Sequence, residues 1–376
     1  MAHNHRWLAA ASLGLGLLLV TGYAAYKGHA DDRDVEAVLA AYPQLKGGAS
    51  DSCAPCHRSG RVEEGSGSRV ENHCGYCHAV HVRGGRPAVA TLTRFGAEYL
   101  AAGRGVAALR KIAGGDADGD GVSNEAELLA GTLPGEASSR PGAALAPHRV
   151  YSGRELRALS PVVGHTVFLN TSHNRQGDFY NQYRGNSVYA LLEAIGLAPG
   201  AESVDFISVD GFEGTFTLEE LRREWAQARP VPGLDKKALG ACGWVNYNAA
   251  GLDPGRALPS MKVMLAFEEN GRKIEPAHLD PASGRIVGTG PLRLVVPQFV
   301  PSPPDLPKNA GAECQKSVAP EYAFNEEYDH NGGRSSFSII AVRVRPLPEG
   351  TRDFEWEKER DALLAGEKIV FFGALQ

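Results

Sequence analysis

The spacing of hydrophobic and polar positions indicates that the larger, C-terminal part of the chain is built mainly of β-strands. Short apolar runs bounded by turn residues predict strands over residues 162–169, 204–209, 292–296 and 337–344. A hairpin is predicted over 261–267 and from 273 onward, around Asn270-Gly271. Helical spacing occurs over 187–195, ended by Gly196, and over 218–225, where Thr217 is suited to cap the helix. The pattern therefore predicts a β-rich α+β domain over residues 151–376.

Two further stretches of this domain have a distinct pattern. The proline-rich segment 297–307 is predicted to be a loop. Residues 354–372 combine a charged helical pattern with the apolar run Ile369-Val-Phe-Phe372. Their sequence leaves open whether they pack on the domain or serve a partner.

The N-terminal part begins with an uncharged apolar run over residues 7–26, flanked by Arg6 and Lys27. The run fits a signal peptide within residues 1–30, cut after Ala30, and it is also long enough to be an uncleaved inner-membrane anchor. Either interpretation places the chain from Asp31 onward outside the cytoplasm, as in a periplasmic protein. Farther along, residues 92–113 show helical spacing and lead into an acidic loop.

Two Cys-x-x-Cys-His motifs lie between these elements. They are Cys53-Ala-Pro-Cys56-His57 and Cys74-Gly-Tyr-Cys77-His78. This spacing is typical of c-type haem attachment, in which both cysteines form thioethers and the histidine ligates the iron. We therefore predict two haem c groups within a mostly helical dihaem segment, residues 31–115.

The same cysteines also fit a zinc ribbon or disulfides. Each pair, however, is followed at once by a histidine, which a four-cysteine zinc site does not need. Exported thiols are commonly oxidised unless they are covalently committed. Residues 58–73 also lack the alternating apolar pattern of a ribbon hairpin, so the sequence favours haem.

The second axial ligand of each iron is not specified by a motif. Met261 and Met264 lie in a strand pattern, which favours a role in the core. The distal candidates are therefore four histidines: His73, His81, His165 and His173.

The acidic loop of residues 116–127 has the spacing of an EF-hand-like calcium site. Oxygen ligands fall at Asp116, Asp118, Asp120, Asn124 and Glu127, with the Val122 carbonyl as a further ligand. Gly121 occupies the sharp turn that such loops require. With the Leu128–Gly135 stretch after it, the loop resembles the calcium repeats of bacterial thrombospondin-type-3 and dockerin-like proteins. We predict a structural Ca²⁺ site in a linker region over residues 116–150.

The cysteine count and the charge balance limit the expected disulfides and the expected partners. After four haem cysteines, Cys242 and Cys314 remain of the six, and an oxidising compartment favours a disulfide between them. The 39 basic and 44 acidic residues are nearly balanced, so nothing indicates nucleic acid as a partner. Redox proteins, and the membrane through an uncleaved N-terminal run, are the expected partners.

The C-terminal domain carries a resemblance of its own. The stretches Arg184–Gly196, Val204–Gly211 and Gly290–Pro297 resemble segments of the sulfite-oxidase-type molybdopterin fold. With two haem motifs ahead of it and Gly288-Thr289-Gly290-Pro291 within it, the chain resembles the bacterial GEGP-motif dihaem proteins. Thr289 departs from that family, whose name implies glutamate at this position.

The resemblance implies a molybdenum-ligating cysteine ahead of the 187–195 helix, but the chain has no cysteine between Cys77 and Cys242. This gap indicates a fold retained without its cofactor. We therefore expect an exported dihaem cytochrome that transfers electrons and has no catalytic residues, with a cofactor-free domain for structure or for docking a redox partner. The alternative is a molybdopterin oxidoreductase that uses Cys242 as ligand and passes substrate electrons to its own haems.

Overall fold

The computed structural model describes residues 33–46, 61–64, 67–70, 92–137, 139–171, 178–209, 213–227, 258–280, 285–306, 311–317, 320–325 and 330–376. Together they form a mixed α+β structure, as the hydrophobic pattern predicts. No helix within these ranges is long and apolar enough to cross a membrane. The predicted signal or anchor run, residues 7–26, lies outside the described residues.

The N-terminal part contains four helices within its described residues and one short hairpin. They are α1 (Arg33–Ala41), β1 (Arg61–Glu64), β2 (Gly67–Val70), α2 (Arg94–Ala101), α3 (Gly105–Ile112) and α4 (Asn124–Ala130). The helices share a small core that includes Tyr42, Phe95, Leu109 and Leu128. The core therefore joins the helix that precedes the haem motifs to those that come after them.

The prediction of one helix over 92–113 is wrong at its middle. The chain breaks into α2 and α3 at Gly103-Arg104-Gly105, where all three residues have positive φ, with Arg104 at 61°. Glycine adopts this conformation at little cost, so two glycines in three residues favour a turn over a continuous helix. Thr93 caps α2 by accepting a hydrogen bond from the Gly96 N–H.

The C-terminal part contains two five-stranded sheets. The strands of the first are β5 (Val162–Leu169), β6 (Phe179–Ser187), β9 (Met264–Glu269), β10 (Arg272–Lys273) and β13 (Arg293–Val295). Their order is β10-β9-β6-β5, with β13 also paired to β9, and all the pairs are antiparallel. The strand predicted over 162–169 and the hairpin at Asn270-Gly271 are thereby confirmed.

The strands of the second sheet are β4 (His148–Ser152), β7 (Ser203–Ser208), β8 (Glu213–Thr217), β14 (Ile339–Arg345) and β16 (Lys368–Gly373). Their order is β4-β16-β14-β7-β8, in which only the β14–β16 pair is parallel. The apolar run Ile369-Val-Phe-Phe372 is thus part of an internal strand of this sheet, fully buried. It packs on the domain, which the sequence left open.

Helices and short strands complete the domain. They are β3 (Ala144–Leu145), α5 (Gly153–Leu159), α6 (Val188–Ile195), α7 (Leu218–Arg222), β11 (His278–Asp280), β12 (Arg285–Val287), α8 (Ala312–Ser317), β15 (Thr351–Arg352) and α9 (Trp356–Ala365). The helix predicted over 187–195 is confirmed as α6, whereas the one predicted over 218–225 ends earlier, at Arg222. Thr217 caps α7 in a capping box with Glu220, as predicted.

The main core lies between the two sheets and beneath α5, α6 and α7. Side chains from β7 and β8 meet alternate side chains of β9 and β13 there. Met261 and Met264 are buried in a second cluster on the other face of the first sheet. This burial supports their predicted role as core residues.

Candidate functional site

The acidic loop between α3 and α4 brings the predicted cation ligands together. Carboxylate oxygens of Asp116, Asp118 and Asp120 all lie within 4.8 Å of one another. Gly121 has a φ of 91°, a value that suits glycine and that lets the chain turn sharply at the middle of the loop. The three carboxylates therefore converge on one point, as the spacing predicts.

Main-chain N–H groups hold this loop in shape. The carboxylate of Asp116 accepts hydrogen bonds from the N–H groups of Gly119 at 2.8 Å and Gly121 at 2.8 Å. One oxygen of Asp118 accepts from the Asp120 N–H, and one oxygen of Asp120 accepts from the Val122 N–H. The second oxygens of Asp118 and Asp120 are buried and have no hydrogen-bond partner.

Glu127 supplies the most specific observation at this site. It lies in the first turn of α4 with 0% of its surface exposed, and neither of its carboxylate oxygens has a hydrogen-bond partner. Burial, together with the charges of Asp118, Asp120 and Asp116, raises the pKa of Glu127 to about 8. A buried carboxylate without a partner is costly, so this position requires either a proton or a cation.

The charged form of Asp118 is destabilised in the same way as that of Glu127. Burial and the neighbouring carboxylates raise its pKa to about 6. In contrast, the more exposed Asp116 has a lowered pKa because its carboxylate accepts hydrogen bonds from Gly121 and its neighbours. Asp118 and Asp120 converge with Asp116, and their unpartnered oxygens, together with the buried unpartnered carboxylate of Glu127, are donors that suit a hard divalent cation.

Asn124 has an additional role that the spacing did not indicate. Its side-chain oxygen accepts a hydrogen bond from the Ala117 N–H at 3.0 Å, and its amide donates to the Ile112 carbonyl at 2.8 Å. Asn124 therefore closes the loop against the end of α3. Direct ligation by Asn124 and by the Val122 carbonyl stays a prediction.

The helices on either side of the haem motifs are held together around the same core. Asp34 on α1 accepts a hydrogen bond from the Tyr99 hydroxyl at 2.9 Å and pairs with Arg104. Arg110 on α3 donates to the Ala41 carbonyl and lies over the Tyr42 ring. Residue 46 and residue 92, which flank the motif-bearing stretch, therefore belong to one packed unit.

The predicted haem residues lie outside the described residues. These are Cys53, Cys56, His57, Cys74, Cys77 and His78, together with the distal candidates His73, His81 and His173. Their roles stay predictions.

His165 is the distal candidate that the structure describes. It lies half-buried on β5, opposite Tyr183 of β6, and its Nδ1 is buried without a hydrogen-bond partner. Burial lowers its pKa, and the charge of Glu224 opposes this shift only in part. The imidazole is therefore held in the neutral form, which is the form that ligates metals.

Cys314 is disulfide-bonded. The other five cysteines of the chain, including Cys242, lie outside the described residues. A disulfide at Cys314 accords with an oxidising compartment, whereas the identity of its partner as Cys242 stays a prediction.

Two buried charged clusters carry no sequence motif. Arg343 on β14 pairs with Asp205 at 2.8 Å, Glu213 at 2.6 Å and Asp353 at 2.7 Å. At the end of the first sheet, the buried Asp178 and Asp305 lie together. Their members are far apart in the chain, so no local pattern could have identified them.

No protein-family model, no curated protein and no solved structure matches this chain.

Proposed function

We propose that this protein is an exported dihaem c-type cytochrome that transfers electrons outside the cytoplasm, either in the periplasm or anchored at the membrane. The observation that carries the proposal is the pair of Cys-x-x-Cys-His motifs in one short stretch behind an apolar N-terminal run. Cys53, Cys56, Cys74 and Cys77 would attach the two haems, and His57 and His78 would ligate them. When bound, haem c supplies a one-electron redox couple.

Helices α1 to α4 and their shared core, called the helical unit below, support this proposal because they hold both ends of the segment that carries the two motifs. Tyr99 and Arg104 contact Asp34, and the core that contains Tyr42 and Phe95 joins α1 to α2 and α3. Holding the ends of a segment together reduces the conformational entropy lost when the segment becomes ordered around a cofactor.

We further propose that the acidic loop binds Ca²⁺ in a structural role. Asp116, Asp118, Asp120 and Glu127 would be the side-chain ligands, and the buried, unpartnered oxygens of Glu127 carry this part of the proposal. Leu128, next to Glu127 on α4, is buried in the helical core. Because extracellular calcium modules bind with dissociation constants of about 0.1–1 mM, such a site would be filled outside the cell.

The C-terminal domain is proposed to serve structure or to dock a redox partner, as a sulfite-oxidase-like fold without its cofactor. The alternative is a molybdopterin oxidoreductase with Cys242 as the metal ligand. Molybdenum content separates the two, since about one atom per chain would support the alternative and contradict a cofactor-free domain.

Covalent haem content of the full-length exported protein tests the central proposal. Intact mass and haemochrome absorbance should both give two haems per chain. The pair of substitutions Cys53→Ala and Cys56→Ala should leave one haem, because thioether attachment at that motif is lost. The pair Cys242→Ala and Cys314→Ala is the matched control and should retain two. Protein that carries zinc in place of haem, or fewer than two haems in the unaltered chain, would overturn the proposal.

A further inference from the structure

A second group of buried carboxyls lies at the end of the first sheet, away from the acidic loop. Asp178 comes just before β6, and Asp305 lies in the segment after β13; each has 0% of its surface exposed. The Asp305 N–H donates to the Asp178 carboxyl at 2.8 Å, so the two residues are in direct contact. They bring together two segments that are more than a hundred residues apart in the chain.

Asp178 also binds the chain at the end of β5. Its other carboxyl oxygen accepts a hydrogen bond from the Thr171 N–H at 2.9 Å. Asn331 reinforces the junction, since its side chain accepts from the Asn170 N–H and donates to the carbonyls of Phe168 and Val296. The junction thus joins the end of β5, the segment after β13 and the 3₁₀ turn Asn331–Arg334.

His330 connects this pair to the surface. Its Nε2 lies 3.1 Å from one oxygen of Asp305, and its side chain is 14% exposed. Its ring stacks on Phe324 with centroids 5.0 Å apart. The other oxygen of Asp305 is buried and has no hydrogen-bond partner.

Within the described ranges, no arginine or lysine pairs with either carboxyl. Arg334, in the same 3₁₀ turn, pairs with Glu220 instead. On β6, the Tyr183 hydroxyl donates a hydrogen bond to Glu269. On β5, His165 lies farther along the strand, and Glu224 is the charged group that affects its pKa. Among the residues that the structure describes, the His330 imidazole is therefore the one basic side chain seen against the pair.

Two adjacent buried carboxyls cannot both ionise at low cost when they share a single histidine contact. Burial, and then the charge of Asp305, raise the pKa of Asp178 well above its usual range, although two backbone N–H groups oppose the shift. A protonated carboxyl next to an ionised one is the arrangement that this geometry favours.

We propose that Asp178, Asp305 and His330 form a proton-dependent lock, in which the two carboxyls hold one proton between them. The proton keeps the end of β5 joined to the segment after β13. Its loss as the pH rises leaves two buried negative charges in contact, and the junction opens. The lock requires neither haem nor calcium, so it stands independently of the proposed function.

The direction of the pH dependence is set by the raised pKa. The stabilisation is fully present below the ordinary pKa of an aspartate and is lost as the pH rises through the raised pKa. Between these values, opening releases one proton, so the opening constant increases by up to about tenfold for each pH unit.

Infrared spectroscopy of the calcium-saturated full-length protein tests the lock directly. Above the ordinary pKa of an aspartate the unaltered protein should still show the carbonyl band of a buried protonated carboxyl group, and this band should disappear as the pH rises through the raised pKa of Asp178. Asp305→Asn should move the disappearance of the band to lower pH, because burial alone then raises the pKa of Asp178 and the charge of Asp305 no longer adds to it. Saturation with calcium keeps Glu127 from contributing, and Glu127→Gln checks that it does not.

Urea unfolding gives the second readout. Above the ordinary pKa of an aspartate, the unfolding midpoint of the unaltered protein should fall more steeply with pH than that of Asp305→Asn. Asp361→Asn is the matched control, because that carboxyl is 86% exposed, and it should keep the unaltered slope. Arg175→Gln removes the arginine between Thr171 and Asp178 and should also keep it.

Absence of the carboxyl band at every pH above the ordinary aspartate pKa would overturn the proposal, and so would an Asp305→Asn protein with the unaltered slope. If Asp305→Asn does not fold, the band of the unaltered protein still decides. A band that persists unchanged to alkaline pH, or one that is never present, contradicts the lock.

Discussion

Glu127 is the residue of the acidic loop whose burial and charge most directly indicate a cation site. Its position at the end of the loop is set by the start of α4, and Ser123 caps that helix by accepting a hydrogen bond from the Ala126 N–H. The cap orients the first turn of α4, and the side chain is buried against three aspartates. The Ser123 cap thus places the Glu127 carboxylate at a position where only a cation or a proton neutralises its charge.

We predict that Glu127→Gln weakens calcium binding on the order of a hundredfold, because the substitution removes the bidentate carboxylate while keeping its size. Isothermal titration calorimetry with Ca²⁺ on the holoprotein measures the change. Glu125→Gln is the matched control, since that neighbour on α4 pairs with Arg110 at the surface and should leave the affinity unchanged. Equal affinities of the two variants would contradict the ligand role of Glu127.

For single residues, the sequence is informative where the ligands of a site lie close together in the chain. The positions of Asp116, Asp118 and Asp120 could be read directly, because an oxygen cage built from one loop repeats at every second residue. The bonds of Asn124 to Ile112 and Ala117 could not, since they depend on where α3 ends. Asp178 and Asp305 show no signal at all, because nothing local connects them.

Strand β14 shows how an element of the second sheet accommodates a buried charge. Arg343 has a side chain only 5% exposed and binds carboxylates from β7, β8 and the segment before α9. Burial alone would raise the pKa of Asp205, but Arg343 and Arg345 lower it well below its usual range. The network fixes β14 between its neighbours and remains stable only while it is complete.

We predict that Arg343→Met destabilises the protein by about 3–5 kcal/mol, because it leaves the buried Glu213 without its cation and leaves the buried Asp205 with Arg345 alone. Urea unfolding measures the loss. Arg360→Met, which breaks an exposed pair with Asp361, should cost no more than about 1 kcal/mol. A loss of similar size in Arg343→Met and Arg360→Met would show that the network is not stabilising.

The depressed pKa of Asp205 also implies that its stabilisation is present above the ordinary aspartate pKa and is lost as the pH falls through the depressed value.

Across the molecule, the helical unit and the C-terminal domain differ in how much core they have. Among the described residues, the helical core is one small cluster, whereas the domain has three, including the large cluster between its sheets. Small cores stabilise weakly and often depend on a metal or a cofactor. The two parts touch where Arg345 lies 3.9 Å from Glu136 while also binding Asp205.

We therefore predict that calcium removal loosens the N-terminal part selectively. After chelation of the full-length holoprotein, limited proteolysis should cut residues 31–143 at least several-fold faster, while residues 144–376, which include β3 and β4, resist as before. The Glu127→Gln protein should be sensitive with or without the chelator. Equal acceleration of cleavage in both parts, or none in either, would contradict a structural calcium site.

What the sequence determined by itself is local: strand β5, helix α6 with its boundaries at Ser187 and Gly196, the Asn270-Gly271 turn and the converging carboxylates of the acidic loop. These features depend on hydrophobic period, caps and turn conformations, which act over a few neighbouring residues. Only the tertiary structure decided that residues 368–373 form an internal strand, that Arg343 gathers three carboxylates, and that Asp178 meets Asp305. Such contacts arise because strand order brings distant segments together and burial then makes each charge depend on its partner, and neither effect can be read from adjacent residues.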